Sequence, residues 1–562
     1  MMDVAEQYVI ASIVVSTVRK CALQMRALAR LRLALPVLLA GCAVGPDFRV
    51  PSPPDVQSLT PHKLSERVVA DGTVQRFVRG DDLPGEWWRL FRSRELTALV
   101  ERALRDNHDL KAAQAALRVA RANYEAQKGA LFPVVGVNET SSRQKVATAD
   151  LSAPTVSGDP YFTLHTAQLT ISYVPDVFGG IRRQVEAASA LEESQRFALE
   201  ATYLTLTSNI ALAAIQQASL NAQIRETEQA ISSFKTLAAG ADYPASFDSA
   251  SARDWAALRA AIGQAEQTIP LLKKQFAAQR DLLAALTGQF AGDALPTHLS
   301  FPRLPRDLPL MLPSQIVEQR PDVRAAQANL HATGALVGVA IANRIPLFNI
   351  SGNIGRTSGQ IGNLGSPAPQ FLFWTIVGSV TQTIFDGFTL EQRQRAAEAG
   401  WEQAAEQYQS TVVNAFQNVA DVLQAIEFDG DSLNKATAAS RDAEENLCLT
   451  AAGFARQVNN DQGLKDEILS RFRKWWDSVC KSDSKHFKGK LSDDADKSPP
   501  SGIDLVTSEQ IYLATRLSFV QAEATRYMDV VALFQALGGG WWNRDDVGVT
   551  QGGGPVVGAR PD

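Results

Sequence analysis

Side chains able to carry out nucleophilic or metal chemistry are few and scattered in this 562-residue chain. The six histidines lack the spacing of a metal or catalytic motif: His62, His108, His165, His298, His331 and His486. No GxSxG or HExxH motif occurs, and none of the four cysteines lies in a CxxC pair. The sequence therefore predicts no catalytic residue, no metal ligand and no cofactor, and it indicates that the protein is not an enzyme.

Cys42 differs from the other cysteines, because its surroundings predict a covalent modification. Residues 25–42 read MRALARLRLALPVLLAGC, an arginine-rich start followed by a short apolar stretch and small residues, as in a secretory signal. Leu39-Ala40-Gly41-Cys42 resembles a bacterial lipobox, in which the cysteine is lipidated and cleavage falls just before it. We therefore expect a true start at Met25, removal of residues 1–41 and lipidation of Cys42; the alternative is an ordinary thiol behind an ordinary signal.

Composition argues against a nucleic-acid partner and against a transmembrane helix, and it leaves one possible disulfide undecided. The net charge of −5 shows no basic bias, so nucleic acid is not expected as a partner. No uninterrupted run of about 18 apolar residues follows residue 50, so no transmembrane helix is expected in the mature chain. Cys448 and Cys480 could pair in an oxidising compartment, but connectivity cannot be read from sequence.

An internal repeat divides the rest of the chain into two halves. DLKAAQAAL at 109–117 matches DVRAAQANL at 322–330, and Pro133 matches Pro346 at the same offset of 213. Two copies are too few for a solenoid and indicate a duplicated half. The expected first domain is a lipidated, proline-containing extended tether at 42–84. Two repeats follow at 85–312 and 313–542, and a flexible C-terminal tail is expected at 543–562.

Each half is predicted to contain a helix, two strands and a long helical hairpin. The first helices cover about 94–130 and 313–344, and the prolines end them. A short alternating stretch follows each proline, with strict alternation of apolar and polar residues at 348–354. Second stretches at 166–173 and about 371–384 complete four strands, each predicted to have one apolar and one polar face. No spare helices lie beside these strands, so lipid is expected on the apolar face. Four strands cannot close a barrel, whereas three chains supplying four each can.

The helical hairpins are predicted from proline-free patterns with apolar residues at steps of three and four. Long helices are expected at about 181–238 and 388–453, with antiparallel return helices at about 249–287 and 504–537. The first would span roughly 87 Å, too long for one compact domain.

Tight strand-to-helix turns are expected at Phe178-Gly179-Gly180 and Phe385-Asp386-Gly387, where glycine relieves backbone strain. Trp87 and Trp88 are predicted to be packing anchors, and Gly538-Gly539-Gly540 a flexible exit from the last helix.

Five motifs in order along the chain resemble the TolC-like outer membrane efflux proteins, in particular the NodT/OprM-type lipoproteins. They are CAVGPDF at 42–48, WW with LF at 87–91, YVPDVFGG at 173–180, RPDVRAA at 320–326 and ALGGGW at 536–541. The resemblance covers almost all of the mature chain. It implies a mainly α fold with four membrane strands per chain, closed as a homotrimer with a twelve-stranded β-barrel and a helical barrel in the periplasm.

The resemblance also implies a function and partners. The chain would be the passive exit duct of a tripartite efflux pump of the RND type or a related type, lipid-anchored in the bacterial outer membrane and extending into the periplasm. Its partners would be a periplasmic adaptor, an inner-membrane pump and outer-membrane lipid, and its cargo small molecules such as drugs or toxic compounds. The alternatives are a duct for polypeptide (type I) secretion and a structural periplasmic lipoprotein without a pore.

The resemblance places a periplasmic gate at the two hairpin tips, where acidic residues follow each turn. Asp504, in Ile503-Asp504-Leu505-Val506, matches the pattern well, whereas Asp248 follows a longer turn. The alternative for both is a solvated aspartate at a helix start, favoured by the helix dipole. The chain departs from the family at the second tip, where residues 456–502 form an insert.

Overall fold

A computed structural model describes residues 43–52, 54, 58–60, 62, 65, 67–70, 72–145, 161–240, 249–292, 299–310, 313–460, 480, 502–544, 547–550 and 554–557. These residues fall into two compact units that alternate along the chain. The sheet unit comprises described residues up to Pro51, from Leu117 to Gln195 and from Ala326 to Tyr408. The helical unit comprises those from Ser52 to Ala116, from Arg196 to Ala325 and from Gln409 onward.

Eight helices and nine strands make up the described chain. The helices are α1 (Arg94–Asp106), α2 (His108–Gly129), α3 (Gly180–Gly240), α4 (Ser249–Leu286), α5 (Pro313–Gln319), α6 (Pro321–Ala342), α7 (Thr389–Asn460) and α8 (Gly502–Ala536). The strands are β1 (Arg67–Ala70), β2 (Thr73–Arg79), β3 (Val134–Lys145), β4 (Tyr161–Tyr173), β5 (Asp307–Leu310), β6 (Leu347–Ser358), β7 (Leu372–Thr381), β8 (Val547–Thr550) and β9 (Gly554–Val557). Short 3-10 turns occur at Trp87–Phe91, Ile361–Gly365, Pro369–Phe371 and Trp541–Asn543.

The two halves repeat as predicted. Strands β3 and β6 have the same length and start and end 213 positions apart (347 − 134 and 358 − 145). The long helices α3 and α7 contain 61 and 72 residues, and α4 and α8 are the expected return helices. At 1.5 Å per residue, α3 is about 92 Å long. Among the described residues, only α3 contains a window long and apolar enough to cross a membrane, and half of that window is buried inside the protein.

The first helix of each half is broken, where a continuous helix was predicted. Asn107 separates α1 from α2 with an extended backbone; its side chain caps Leu110 N–H and donates to the carbonyl of Leu286. Arg320 separates α5 from α6 because it precedes Pro321, which disfavours helical geometry in the preceding residue. The two breaks are again 213 positions apart.

The expected extended tether ends earlier than predicted. Strands β1 and β2 form an antiparallel hairpin within 67–79, and β2 pairs in parallel with β5 in a three-stranded sheet. Alternating burial along β1 explains the strand, since Val68 and Ala70 face inward. Buried Gln75 donates to the carbonyl of Pro305 and accepts from Arg526, so this hairpin is fixed within the helical unit.

The core of the helical unit contains the predicted tryptophan anchors. Trp87 and Trp88 are both fully buried; the ring of Trp87 lies 5.6 Å from that of Phe534, and Trp88 lies 6.2 Å from Tyr203. The interpretation of these two residues as packing anchors is confirmed.

The exit from the last helix is tight, not flexible as predicted. Gly538, Gly539 and Gly540 all have positive φ, and a Cβ on Gly539 would lie 2.3 Å from a methyl group of Leu204. Trp541 Nε1 then donates to the carbonyl of Gln319. In the segment expected to be a flexible tail, β8 and β9 pair as an antiparallel hairpin.

Candidate functional site: the two-faced sheet, its junctions and the helix tips

The four-stranded sheet of the sheet unit has order β3-β4-β6-β7, with every neighbouring pair antiparallel. Residues directly opposite each other in such a ladder point to the same face. Across the four strands, one row reads Val137, Leu169, Ile354 and Trp374. The neighbouring row on the opposite face reads Gly136, Thr170, Asn353 and Thr375. These two rows agree with the sequence prediction of one apolar and one polar face.

No described part of the chain covers the apolar face. Val137 is 83% exposed, Trp374 68% and Ile376 72%, and Ile171, Ile350 and Ile354 are also exposed. A contiguous apolar surface of this extent is unfavourable in water and marks an interaction with lipid or protein. A two-faced antiparallel sheet with apolar residues outside and polar residues inside is the pattern of a membrane barrel wall.

Both edges of this sheet are open. Strands β3 and β7 each have one neighbour among the described strands, so one side of each carries unpaired backbone donors and acceptors. Unpaired backbone groups cannot face hydrocarbon, because each costs several kcal/mol there. The sheet is thus one sector of a structure that needs further strands to close.

The strand-to-helix turns are built around aspartate caps. Gly179 has φ +80, and a Cβ there would lie 2.8 Å from the Ala43 Cα, so glycine is required. Asp176 accepts hydrogen bonds from the backbone N–H groups of Ile181 and Arg182 at the start of α3. In the second half, Asp386 accepts from Leu390 N–H at the start of α7. These caps were not assigned from the sequence, although aspartate just before a helix is a known N-cap signal.

The other predicted turn residues also lie at junctions of the sheet unit. Gly387 has φ +66, and Gly180, the first residue of α3, packs against Ala342 so closely that a Cβ would lie 2.8 Å from the alanine methyl group. Pro133 and Pro346 each stand directly before a strand, β3 and β6 respectively. All five therefore lie at the junction between a helix and a strand of the sheet unit.

The segment after Cys42 is held at the turn before α3. Val44 N–H donates to the carbonyl of Phe178, and Arg183 donates to the carbonyl of Val44 at 3.0 Å. Arg183 also pairs with Asp47 at 2.7 Å and with Glu186 at 2.8 Å. We call these contacts of Ala43–Phe48 the N-terminal clamp. Cys42 itself lies outside the described residues.

His331 completes the N-terminal clamp from α6. Its Nε2 is hydrogen-bonded to Glu186 Oε1 at 2.8 Å, and its ring stacks on Phe48 with centroids 4.2 Å apart. The sequence did not assign a role to Arg183, Glu186 or His331. The contacts of Arg183 with Val44 and Asp47, and those of His331 with Phe48 and Glu186, each join residues more than 130 positions apart.

The tips of the helical hairpins belong to the helical unit. Asp504, a predicted gate residue, lies exposed in the first turn of α8, whereas Asp248 lies outside the described residues. Behind this turn, Val506 belongs to a buried apolar cluster with Phe234 of α3 and with Leu258, Ala261 and Ala265 of α4. Arg516 pairs with Glu226 at 3.0 Å, which links α8 to α3.

Two carboxyl groups of α8, those of buried Glu509 and half-buried Asp529, have raised pKa values. Burial raises the pKa of Glu509 to about 7, against the opposing effect of a hydrogen bond with Ser233. Burial and the neighbouring carboxylate of Asp429 raise the pKa of Asp529.

A disulfide joins α7 to the insert. Cys448 and Cys480 are both buried and bonded to each other, with Cα atoms 5.8 Å apart. The pairing that the sequence left open is therefore formed. The remainder of the insert beyond Asn460, from 461 to 501, lies outside the described residues apart from Cys480. Among the described residues, no group of three or more His, Cys, Asp or Glu side chains could hold a metal ion.

A two-faced, open-edged sheet and helices of 61 and 72 residues are together typical of one class, the outer-membrane channel proteins. The profile of the Outer membrane efflux protein family matches residues 99–289 and 312–458, more than half of the chain. The chain belongs to this family.

Individual relatives extend over nearly the whole chain. Outer membrane protein OprJ of Pseudomonas aeruginosa is 25% identical over 531 residues, covering 93% of this chain and 98% of its own. The probable efflux pump outer membrane protein TtgC of Pseudomonas putida is 27% identical over 510 residues, covering 90% and 94%. Among solved structures, the Campylobacter jejuni CmeC outer membrane channel matches with a TM-score of 0.71 at 20% identity, covering 89% of this chain and 95% of that one.

The family membership and these matches confirm three predictions made from the sequence. The fold is mainly helical with a β-barrel sector, the location is the outer membrane, and the function is that of an efflux channel.

Proposed function

We propose that three copies of this chain form the lipid-anchored, passive exit duct of a tripartite efflux system. The observation that carries the proposal is the four-stranded sheet, whose exposed apolar face needs lipid and whose edge strands β3 and β7 need partners. If β7 of one copy pairs with β3 of the next, every backbone group at the edges is satisfied and the barrel closes.

The number of copies follows from the width of the lumen. Two copies would give eight strands, and the interior of an eight-stranded barrel is just wide enough to be filled by side chains. Three copies give twelve strands and a wider barrel, which leaves room for a channel lined by the polar row at Thr170, Asn353 and Thr375. A homotrimer is therefore the smallest assembly with the expected duct.

Lipidation of Cys42 is supported by the N-terminal clamp. Because Val44 is bonded to Phe178 and Arg183, the chain emerging from Cys42 starts beside the turn between β4 and α3. In a sheet embedded in the outer membrane, this turn lies at the periplasmic boundary, within reach of the inner leaflet. Lipid chains on Cys42 would add about 0.8 kcal/mol per buried methylene to membrane attachment.

We propose a periplasmic adaptor and an inner-membrane pump as the partners, with the pump as the energy source. The cargo is proposed to be small molecules. The names of relatives mention pyoverdine, toluene, antibiotics and cations, so a single family serves chemically different cargoes and the pump is expected to select among them.

Asp504 is proposed as a gate residue. Three copies of its exposed carboxylate near a common axis would form a negative ring that attracts cations and resists anions. Asp248 is proposed for the same role at the other hairpin tip.

The test is single-channel recording of the purified, detergent-extracted protein in a planar bilayer, with native mass spectrometry of the same sample. We expect a trimer, a lipid adduct on Cys42 and small cation-selective openings. A variant lacking 457–501 tests whether the insert limits the current, since a plug would raise conductance on removal. A monomer that neither inserts nor conducts would contradict the duct and favour a structural lipoprotein.

A further inference from the structure

The apolar face of the sheet changes character along the strands. On β6, this face runs from Phe348 through Ile350 and Gly352 to Ile354, about 20 Å along the strand, and the next residue on the same face is Arg356. Arg356 stands opposite Ala167 of β4, which stands opposite Glu139 of β3. The apolar band therefore ends at a row that contains ionisable residues.

The same face becomes more basic toward the end of the sheet away from the helices. Beyond Glu139, strand β3 presents Ser141, Arg143 and Lys145 on this face, opposite His165, Thr163 and Tyr161 of β4. Lys145 Nζ lies 5.4 Å from the centre of the Tyr161 ring, and Ser141 Oγ is hydrogen-bonded to His165 Nδ1. We call Arg143, Lys145 and Arg356 the distal basic surface.

The distal basic surface is not neutralised by the described part of the chain. None of its three cations forms an ion pair with another described residue. Arg143 and Lys145 are exposed, whereas Arg356 is half-buried and its Nη1 is buried without a hydrogen-bond acceptor among the described residues. Glu139 is the one acidic residue on this face of β3, and it lies two strands from Arg356, about 10 Å between backbones.

We infer that the distal basic surface binds the phosphate groups of lipids in the outer leaflet of the outer membrane. The inference rests on the proposed function, because that function places the helix-free end of the sheet toward the cell exterior. The apolar band would contact the acyl chains, and the cations directly beyond it would meet the headgroups. The three cations are spread over about 20 Å along the strands, which suits a layer of phosphorylated headgroups better than a pocket for one ion.

The test compares lipids and variants by native mass spectrometry of the detergent-solubilised protein. The probes are bis-phosphorylated lipid A and the same lipid after removal of both phosphates. Arg143→Gln/Lys145→Gln is compared with Arg118→Gln/Arg121→Gln, which neutralises two exposed arginines of α2 outside the sheet. We expect bis-phosphorylated lipid A to bind wild type and the α2 variant equally, and the distal variant about fivefold more weakly for each cation removed.

Glu139→Gln provides an independent test in the opposite direction. Because it removes a negative charge from this face, it should strengthen binding of bis-phosphorylated lipid A and leave the dephosphorylated lipid unaffected. If Arg143→Gln/Lys145→Gln does not fold, the single variant Lys145→Gln, which changes one exposed side chain, takes its place in the comparison.

Three results would overturn the inference: equal binding of both lipids, unchanged binding by the distal variants, or full displacement of the lipid by inorganic phosphate. Trimer formation and conductance are measured on the same variants. A protein that conducts but does not discriminate the lipids refutes the lipid site alone, whereas failure of wild type to insert or conduct refutes the duct.

Discussion

Arg183 donates a 2.7 Å hydrogen bond to Asp47, five residues beyond Cys42, and a 3.0 Å hydrogen bond to the carbonyl of Val44. The arginine side chain is 6% exposed, whereas that of Asp47 is 89% exposed. Because solvent screens the charge of the exposed Asp47, its ion pair with Arg183 contributes little free energy. The bonds to Val44 and to Glu186 therefore contribute more to the N-terminal clamp than the ion pair with Asp47 does.

Arg183→Gln should loosen the N-terminal clamp. Loss of the guanidinium leaves the Val44 carbonyl without its Arg183 donor and leaves Glu186 with His331 alone, at a cost of about 1–3 kcal/mol. Hydrogen exchange should show faster exchange at residues 43–49, while Arg182→Gln, which removes a more exposed arginine, should have a smaller effect. Equal exchange in both variants would mean that other contacts hold the segment.

Removing the disulfide should lower thermal stability. Cys448 and Cys480 are 32 positions apart, and closing a loop of this length stabilises by about 3–4 kcal/mol in the chain-entropy description. Cys448→Ser/Cys480→Ser should lower the apparent Tm by as much as a reductant lowers that of wild type. The double variant itself should not respond to the reductant; a response would point to a different thiol effect.

Glu509 should make stability depend on pH. Its folded pKa of about 7 lies above the ordinary value of 4.5, so the folded protein retains a proton that the unfolded chain releases. The resulting stabilisation is complete below about pH 4.5 and is lost as pH rises through 7. Glu509→Gln should therefore raise the apparent Tm at pH 8 and differ less from wild type at pH 5, with an effect on the order of 3 kcal/mol.

The pKa of Asp529 is raised as well, but Asp529 is present in both wild type and Glu509→Gln. The difference in apparent Tm between these two proteins therefore reports on Glu509. Glu228→Gln, at an exposed position of α3, is the control and should show no such dependence on pH. A constant difference between wild type and Glu509→Gln at all pH values would show that packing alone is responsible.

The strands and long helices could be predicted because their signals are local. Period-two alternation in β4 and β6 needs only neighbouring residues, and the repeat offset then locates the second half. The turn glycines were equally visible, since Gly179 and Gly387 stand between an alternating stretch and a helical one.

The features that sequence reasoning missed depend on distant partners. Asn107 sits within a helical pattern, and the break there depends on a hydrogen bond to Leu286, 179 positions away. Strand β2 needs β5, which follows more than 200 residues later. The N-terminal clamp joins Asp47 to Arg183 across 136 positions. None of these contacts changes the local pattern enough to be read from one sequence.

Asp504→Asn should reduce cation selectivity if Asp504 forms the proposed ring. Each trimer would lose three negative charges at the constriction, so the ratio of cation to anion permeability should fall. The matched control is Asp442→Asn, which neutralises an exposed aspartate of α7. This control should leave the permeability ratio unchanged. Permeability ratios are measured from reversal potentials in asymmetric salt. An unchanged ratio for Asp504→Asn would leave the carboxylate as an ordinary helix-start residue.

Neighbouring residues on β7 offer the sharpest test of which face meets lipid. Ile376 lies on the apolar face and is 72% exposed, whereas Thr375 lies on the polar face. Arginine in contact with hydrocarbon at the bilayer midplane costs about 2–4 kcal/mol, but arginine in a water-filled lumen does not. Ile376→Arg should therefore reduce the amount of heat-modifiable trimer in the outer membrane, and Thr375→Arg should assemble normally and shift selectivity toward anions. The reverse pattern would mean that the two faces of the sheet have been assigned the wrong way round.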